Sequence, residues 1–537
     1  MKTLYNNYNA TSLSFLVAVL LNSCGSTAPL LFKPIENIDQ TAVKLSGLSD
    51  KQKQTWSHLD LIKDSIPGTS LNLAYEKLVK KNGKNVIVAV IDSGIDILHE
   101  DLESNVWVNK DELPNNGIDD DKNGYVDDVN GWNFLGESNN ERLEYVRILA
   151  KNDLSHPQFK EAQMLYEKEQ KKYNTLKKNT LNIKAAIEDS KNAIAVHLNN
   201  ESFSQDDVEE IQTDDEKLSR QLFMIKRVFS FGYDSVDALI KEFDRDLRRF
   251  QETLDYSLNL DFDGRSIVGD DPDDLEDRSY GNNNVTPKTG RSHGTHVSGI
   301  IAAVRKNGVG IDGAANNVKI MAIRNTPNGD EYDKDVALGV YYAIDNGAKV
   351  INMSFGKSFS PHSEWVRDAI AYAAKKDVLI VAAAGNDSKN TDNNLYYPND
   401  QIGTGEEVSD SFLKVGSTTY KYGAGIVSGF SNYGNSSVDL FAPGSQIYSC
   451  YPDDKYEFSS GTSMAAPLVT GIAALIFSQY QKLSAAQVKQ ILMASGLPIV
   501  KKVGLSDETV VPFAELSRSG RLVNAYNALI MASKISK

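Results

Sequence analysis

The chain has 537 residues, enough for one large domain with an accessory element or for two to three ordinary domains. Its 41% hydrophobic and 9% aromatic content is that of a folded chain with a core. A net charge of -15 with no offsetting basic block excludes a nucleic-acid binder, so no nucleic-acid partner is expected.

The amino terminus reads as an address. Lys2 precedes a short apolar run at 13–21, too short to span a bilayer, and Asn22-Ser23-Cys24-Gly25 follows. A small residue directly before a cysteine resembles the lipobox of bacterial lipoproteins. That resemblance implies a signal peptide at 1–23, acylation of Cys24 and attachment to a lipid membrane of the bacterial cell envelope, the outer membrane by preference. Residues 24–54, with Pro29 and Pro34 and no sustained period, read as a tether. If Cys24 carries lipid, Cys450 stands alone and no intrachain disulfide is expected.

Residues 55–136 and 258–537 carry an α/β rhythm interrupted by something different. Val86 to Ile91 is a continuous apolar strand of the kind buried in parallel sheets, and Asp92 follows at its carboxyl end, where open α/β sheets place their sites. Within 117–128, Asp119, Asp121 and Asn123 alternate and Gly124 permits a sharp turn. The carbonyl of Tyr125 with Asp127 or Asp128 can then close an oxygen cage. This resembles a calcium loop, so structural Ca2+ is the cofactor expected; it lacks the twelfth-position glutamate and flanking helices of an EF-hand. A solvated acidic turn is the competing reading.

Residues 137–257 change character. Phe159 to Ile194 place core-type residues at steps of three and four, and Leu218 to Ile225 and Val236 to Leu254 repeat the steps. They predict an inserted long helical hairpin, its return arm kinked or divided near 230–233. At about 1.5 Å per residue the outward arm is roughly 50 Å long. A spacer, a cover over a substrate groove and a docking arm for a protein partner are the roles such an object can have. Beyond an acid-rich loop at 261–284, strands at 318–323, 350–354 and 378–384 alternate with helices. The fold class is therefore α/β, three-layer α/β/α with a mostly parallel central sheet.

Three segments supply an acid, an imidazole and a hydroxyl: Asp92-Ser93-Gly94, His293-Gly294-Thr295-His296 and Gly461-Thr462-Ser463-Met464-Ala465. Asp92 can hold the Nδ1 proton of His293, and His293 can take the Ser463 proton through Nε2. Ser463 opens an apolar helix whose first amides are free to stabilise an oxyanion, and Asn386, after the strand 378–384, offers an amide donor. His293 and His296 are three apart with glycine and threonine between them, unlike a zinc pair, so no catalytic metal is expected. Chain order and the residues around Ser463 also differ from the α/β-hydrolase elbow.

These motifs resemble those of the subtilisin-like serine proteases, over most of 55–136 and 258–531. The resemblance implies a serine endopeptidase acting on protein or peptide substrates, with Asp92, His293 and Ser463 as triad and Asn386 as oxyanion donor. It also implies that Ser354, Phe355 and Gly356 pair with extended substrate and line the first specificity pocket, with Tyr397-Pro398 nearby, and that Asp101 matches a calcium-site position of some members. The competing expectation is a catalytically silent or occluded binding protein that acts through the helical insertion.

Overall fold

The computed structural model describes residues 32–537 apart from 37, 39–40, 43, 45, 81, 288–290, 404 and 507–508. The signal peptide at 1–23 and Cys24 lie outside the described residues. In chain order the strands are β1 Val86–Asp92, β2 Gly131–Asn133, β3 Val318–Arg324, β4 Val350–Met353, β5 Leu379–Ala383, β6 Phe412–Thr418 and β7 Leu440–Pro443. They continue with β8 Ile447–Tyr451, β9 Lys455–Ser459, β10 Leu497–Pro498, β11 Lys502–Gly504, β12 Val510–Pro512 and β13 Arg521–Leu522. Nine of them form one sheet in the order β10-β13-β7-β6-β5-β4-β1-β3-β2, while β8–β9 and β11–β12 are separate antiparallel pairs. All pairings in the large sheet are parallel except β10–β13.

β1 is apolar without alternation because both of its faces are covered. Val88 and Val90 join a core with Val469 and Ile472 of the helix Thr462–Gln479, and Ala89 and Ile91 join the opposite core with Val336 and Val340 of the helix Asp333–Asp345. Thr462–Gln479 is, among the described residues, the one helix long and apolar enough to cross a membrane. It is 89% buried, so its apolarity is that of a central core helix. Of the stretch expected to be a tether, Phe32, Ile35, Ile38 and Leu48 pack on the body. Ile38 is buried, and Ile35 exchanges two hydrogen bonds with the side chain of Asn527 at 2.7 and 3.0 Å. Isolated apolar residues filling notches in a finished surface leave no period for a sequence reading to detect.

Residues 137–150 also lie on the body, and Leu143 N–H donates to Ser257 O at 3.0 Å, so the insertion's two ends meet. A loop closed at its base costs little entropy for its length. The arm itself is the 40-residue helix Phe159–Leu198, against which Glu216–Ser230 and Val236–Glu252 pack; those two also touch each other. The division of the return arm follows the expectation, but the outer part is a three-helix cluster around Ile187, Ile194, Leu222, Ile225 and Val228.

Between this cluster and a second one at the base, around Tyr145, Ala162 and Leu258, the apolar seam gives way. Leu176 and Ile183, placed on the seam by their spacing, are 37% and 51% exposed. The face turned to Val236–Glu252 is one residue further on, where Lys177, Lys184 and Lys191 meet Gln251, Asp244 and Asp237, the last two pairs at 2.5 Å. Each step of seven up one helix matches a step of seven down the other, which fixes an antiparallel register by polar contacts. Ile225→Ala is expected to destabilise the outer cluster by about 2–5 kcal/mol. Hydrogen exchange should show faster opening of the 187–239 amides and unchanged protection of β1 and β4.

Candidate active site

Asp92 ends β1 and is 1% exposed. Its Oδ1 accepts from Ser93 N–H at 2.7 Å and lies 2.8 Å from His293 Nδ1, with Oδ2 at 3.0 Å from the same nitrogen. His293 is the first residue of the helix His293–Ala302. The two segments come together because each carries a glycine at the crossing. Gly94 has φ of +106°, which favours glycine, and a Cβ on Gly294 would stand 2.3 Å from Gly94 O. Burial pushes the His293 pKa down, but the charge and hydrogen bond of Asp92 more than offset it, and the net shift is upward. The His293 side chain is 39% exposed, and its Nε2 has no hydrogen-bond partner among the described residues.

Ser463 sits in the first turn of Thr462–Gln479. Its hydroxyl donates to Ser354 O at 2.8 Å rather than to His293, and Ser354 Oγ donates back to Ser463 O at 2.9 Å. Asn386 is oriented by Thr462, which the sequence reading did not single out. Thr462 donates its N–H (2.9 Å) and its hydroxyl (3.1 Å) to Asn386 Oδ1, and Thr462 Oγ1 in turn accepts from Gly385 N–H at 3.0 Å. With Oδ1 so occupied, Asn386 Nδ2 is left as the donor side of the amide. Asp92, His293, Ser463 and Asn386 line one cleft of ≈440 Å3 together with Ser354, Phe355 and Gly356.

A further wall of the cleft is 328–331, a segment that no motif marks in the sequence. It is held from behind by the base of the insertion. Asn328 N–H donates to Asn139 O at 2.8 Å, Glu141 N–H donates to Asn328 O at 3.1 Å, and Arg147 Nη1 donates to Asp330 O at 2.8 Å. Arg147 and Lys357 share the carboxylate of buried Glu144 and both donate to Glu331 O; Lys357 also lies 3.0 Å from Asp333. Burial opposes ionisation of Glu144, yet these two cations bring its pKa down to about 2.

Two carboxylates of the acidic loop stand beside one from outside it. Glu112, Asp119 and Asp121 place carboxylate oxygens within 4.8 Å of one another. Glu112 lies outside the motif and is the loop's organiser, accepting from the N–H groups of Asp120, Asp121 and Asp127. Asp127 is turned to the N–H groups of Asn116 and Gly117, and Asp128 to Tyr342 Oη, Asn109 and Asn123. Asn123 Oδ1 accepts from Tyr125 N–H, while the Tyr125 ring packs edge-on against Trp132 and Tyr342. Asp119 accepts from the N–H groups of Asn123 and Gly124, and Asp121 from Asn109 and Asn123, so each of these acidic side chains carries a donor from the chain. Asp101 is likewise engaged by three N–H donors, from Val304, Asn307 and Ile311, and serves as a loop staple.

His296 is buried. Its Nε2 lies 3.1 Å from both Ile447 O and Glu457 O, and burial lowers its pKa to about 4. Cys450 is fully buried against Gly299 in the core, and burial raises its thiol pKa far above the ordinary value.

A family model described as the Subtilase family matches residues 83–511. Thermitase of Thermoactinomyces vulgaris is 41% identical over 199 residues, 37% of this chain and 65% of thermitase. A thermophilic serine proteinase of Bacillus sp. (strain AK1) is 38% identical over 228 residues, covering 42% of this chain and 50% of its own. Subtilisin DY of Bacillus licheniformis is 37% identical over 209 residues, covering 38% and 70%. The chain thus spans less than two thirds of the length of the first two relatives. A solved protease structure from Pseudoalteromonas arctica aligns with 90% of this chain and 97% of its own, at 21% identity and a TM-score of 0.46.

Two outcomes test this packing. Gly294→Ala should destabilise the protein by about 1–3 kcal/mol, read from denaturant midpoints, because the new methyl meets backbone that cannot move aside. Cys450 should resist iodoacetamide in the native protein and react on unfolding; fast native labelling would contradict its placement.

Proposed function

The chain belongs to the subtilase family of serine proteases, and we propose that it is an endopeptidase cleaving extended polypeptides through Asp92, His293 and Ser463. The observation that carries the proposal is the Asp92–His293 pair at 2.8 Å, opening with Ser463 and Asn386 onto one cleft.

Substrate lies extended between Ser354–Gly356 and 328–331, where backbone bonds hold any sequence and side-chain pockets select among them. Reaction requires the Ser463 hydroxyl to leave Ser354 O and donate to His293 Nε2. His293 then accepts the proton as Oγ attacks the carbonyl, and Asp92 steadies the imidazolium. The oxyanion is met by Asn386 Nδ2 and by the Ser463 N–H in the first turn of Thr462–Gln479. His293 passes the proton to the leaving amine, the acyl-enzyme forms on Ser463, and a water activated by His293 releases it.

Glu112, Asp119 and Asp121 offer hard oxygen donors from three carboxylates and fit Ca2+ as a partial ligand set. Bound there, the ion would brace the acidic loop, and no reaction step needs it. The lipid anchor at Cys24 and a location in the bacterial cell envelope complete the proposal; their support is the lipobox resemblance. Against occlusion by the helical insertion, none of the residues lining the cleft belongs to 137–257, although Glu252 and Asn140 of the insertion reach Arg291 at its edge. Capture of a protein partner remains a role open to the arm's outer cluster.

An active-serine phosphonate should label the wild type at Ser463 and leave Ser463→Ala unlabelled, as read by mass spectrometry of the adduct. Equal labelling of the variant would remove Ser463 as nucleophile. Ca2+ should raise the melting temperature, by about 2.7 kcal/mol of added stability at a hundredfold excess over Kd. Glu112→Gln should abolish most of that shift. An identical shift in the variant would place the ion elsewhere.

A further inference from the structure

The side chain next to the attacked carbonyl must enter the space beside Ser463. That space is bounded by two backbone segments, Ser354–Gly356 and Ala383–Gly385, and by Tyr396. Each segment turns a glycine toward the Tyr396 ring. A Cβ on Gly356 would lie 2.5 Å from Tyr396 Cε1 and 3.0 Å from Cζ. A Cβ on Gly385 would lie 2.6 Å from Cζ and 2.8 Å from Cε1. The same edge of one phenol ring therefore touches both segments and fills the gap between them.

The ring is fixed at both ends. Its hydroxyl donates to Gly356 O at 3.0 Å, and burial raises its pKa well above the ordinary value, so it stays a neutral donor. Its backbone carbonyl accepts from Lys414 Nζ at 2.8 Å and from Asn399 Nδ2 at 3.2 Å. Lys414 belongs to β6 and is buried beneath the cleft. The next residue, Tyr397, exchanges backbone hydrogen bonds with Lys357 at 3.0 and 2.8 Å. Displacing the ring would break its hydroxyl bond and push against a backbone pinned at three points.

We infer that Tyr396 sets the first-pocket specificity: its ring occupies the pocket, so glycine, alanine or serine is accepted before the scissile bond and aromatic or long side chains are rejected. The inference rests on the endopeptidase reading above and adds the substrate class. Phe355, the aromatic residue that the sequence points to, is a side wall; Tyr396 is the floor.

Two peptidyl diphenyl phosphonates that differ only in an alanine or phenylalanine side chain at the reacting position test it on the whole protein. The wild type should react with the alanyl probe at least about tenfold faster than with the phenylalanyl probe. Tyr396→Ala should gain at least about tenfold toward the phenylalanyl probe relative to the alanyl one. Tyr396→Phe, which keeps the ring and loses the hydroxyl, should retain the wild-type preference. Equal reaction of the wild type with both probes overturns the pocket inference and leaves the serine reading intact. No reaction with either probe overturns the endopeptidase reading and this one with it. A folded Tyr396→Ala that still excludes the phenylalanyl probe also overturns the inference. Should that variant not fold, the wild-type ratio and its persistence in Tyr396→Phe decide the matter, and its loss in Tyr396→Phe counts against a steric floor.

Discussion

Four adjacent parallel strands, β5, β4, β1 and β3, are paired so that Ala382 lies beside Met353, Met353 beside Ile91, and Asp92 beside Arg324. Four functional segments leave the sheet at or just beyond those residues. Asp92 stands at the end of β1, Ser354–Gly356 follows β4, Gly385-Asn386 follows β5, and 328–331 follows β3. A slip of one residue in any of these pairings would exchange the two faces of a strand and carry its terminal group out of line. Continuous apolar strands covered on both faces set that register, so the depth of the core and the position of the site are one constraint. The helix Thr462–Gln479 completes it, because its buried body packs across the same strands while its first turn delivers Ser463 to their ends.

Polar groups do a different task at the rim. Glu144, Arg147, Lys357 and Asp333 form a buried ionic cluster behind the wall 328–331. Such clusters add little net stability, since desolvation consumes most of the attraction, but losing one member leaves a buried charge unpaired. The cluster therefore holds one geometry tightly. Two of its members, Glu144 and Arg147, come from the base of the insertion, so the arm and the cleft share a foundation although the arm lines none of the cleft. The outer three-helix cluster has its own apolar core and is joined to this foundation through the helix Phe159–Leu198 and its lysine-to-acid ladder.

Much of this was legible in the sequence because it was written in short contiguous signals. Asp92, His293, Ser463 and Asn386 each stand at a strand's end or a helix's start, and the body of β1 and all of β5 read as uninterrupted apolar runs. The helical insertion was visible from its spacing, and so was the break in its return arm. What escaped depended on contacts between segments far apart in the chain. Glu112 organises the acidic loop from outside the motif, Thr462 orients Asn386 across 76 positions, and Arg147 supports Asp330 across 183. Leu176 and Ile183 misled because heptad spacing identifies a stripe on a helix without saying which stripe meets the neighbour. Tyr396 was invisible beside Tyr397-Pro398, since its role is set by the two glycines its ring separates.

The central claim is that Asp92 and His293 act as a coupled base for Ser463, and the pH dependence of kcat/KM tests it most directly. Asp92 raises the His293 pKa above the ordinary imidazole value of 6.5, and the base is active only when neutral. Activity should therefore rise with pH along a single acid limb centred above 6.5. In Asp92→Asn that limb should move to lower pH while the plateau of kcat falls by about 10^4. An acid limb unmoved by Asp92→Asn, with kcat retained, would contradict the account.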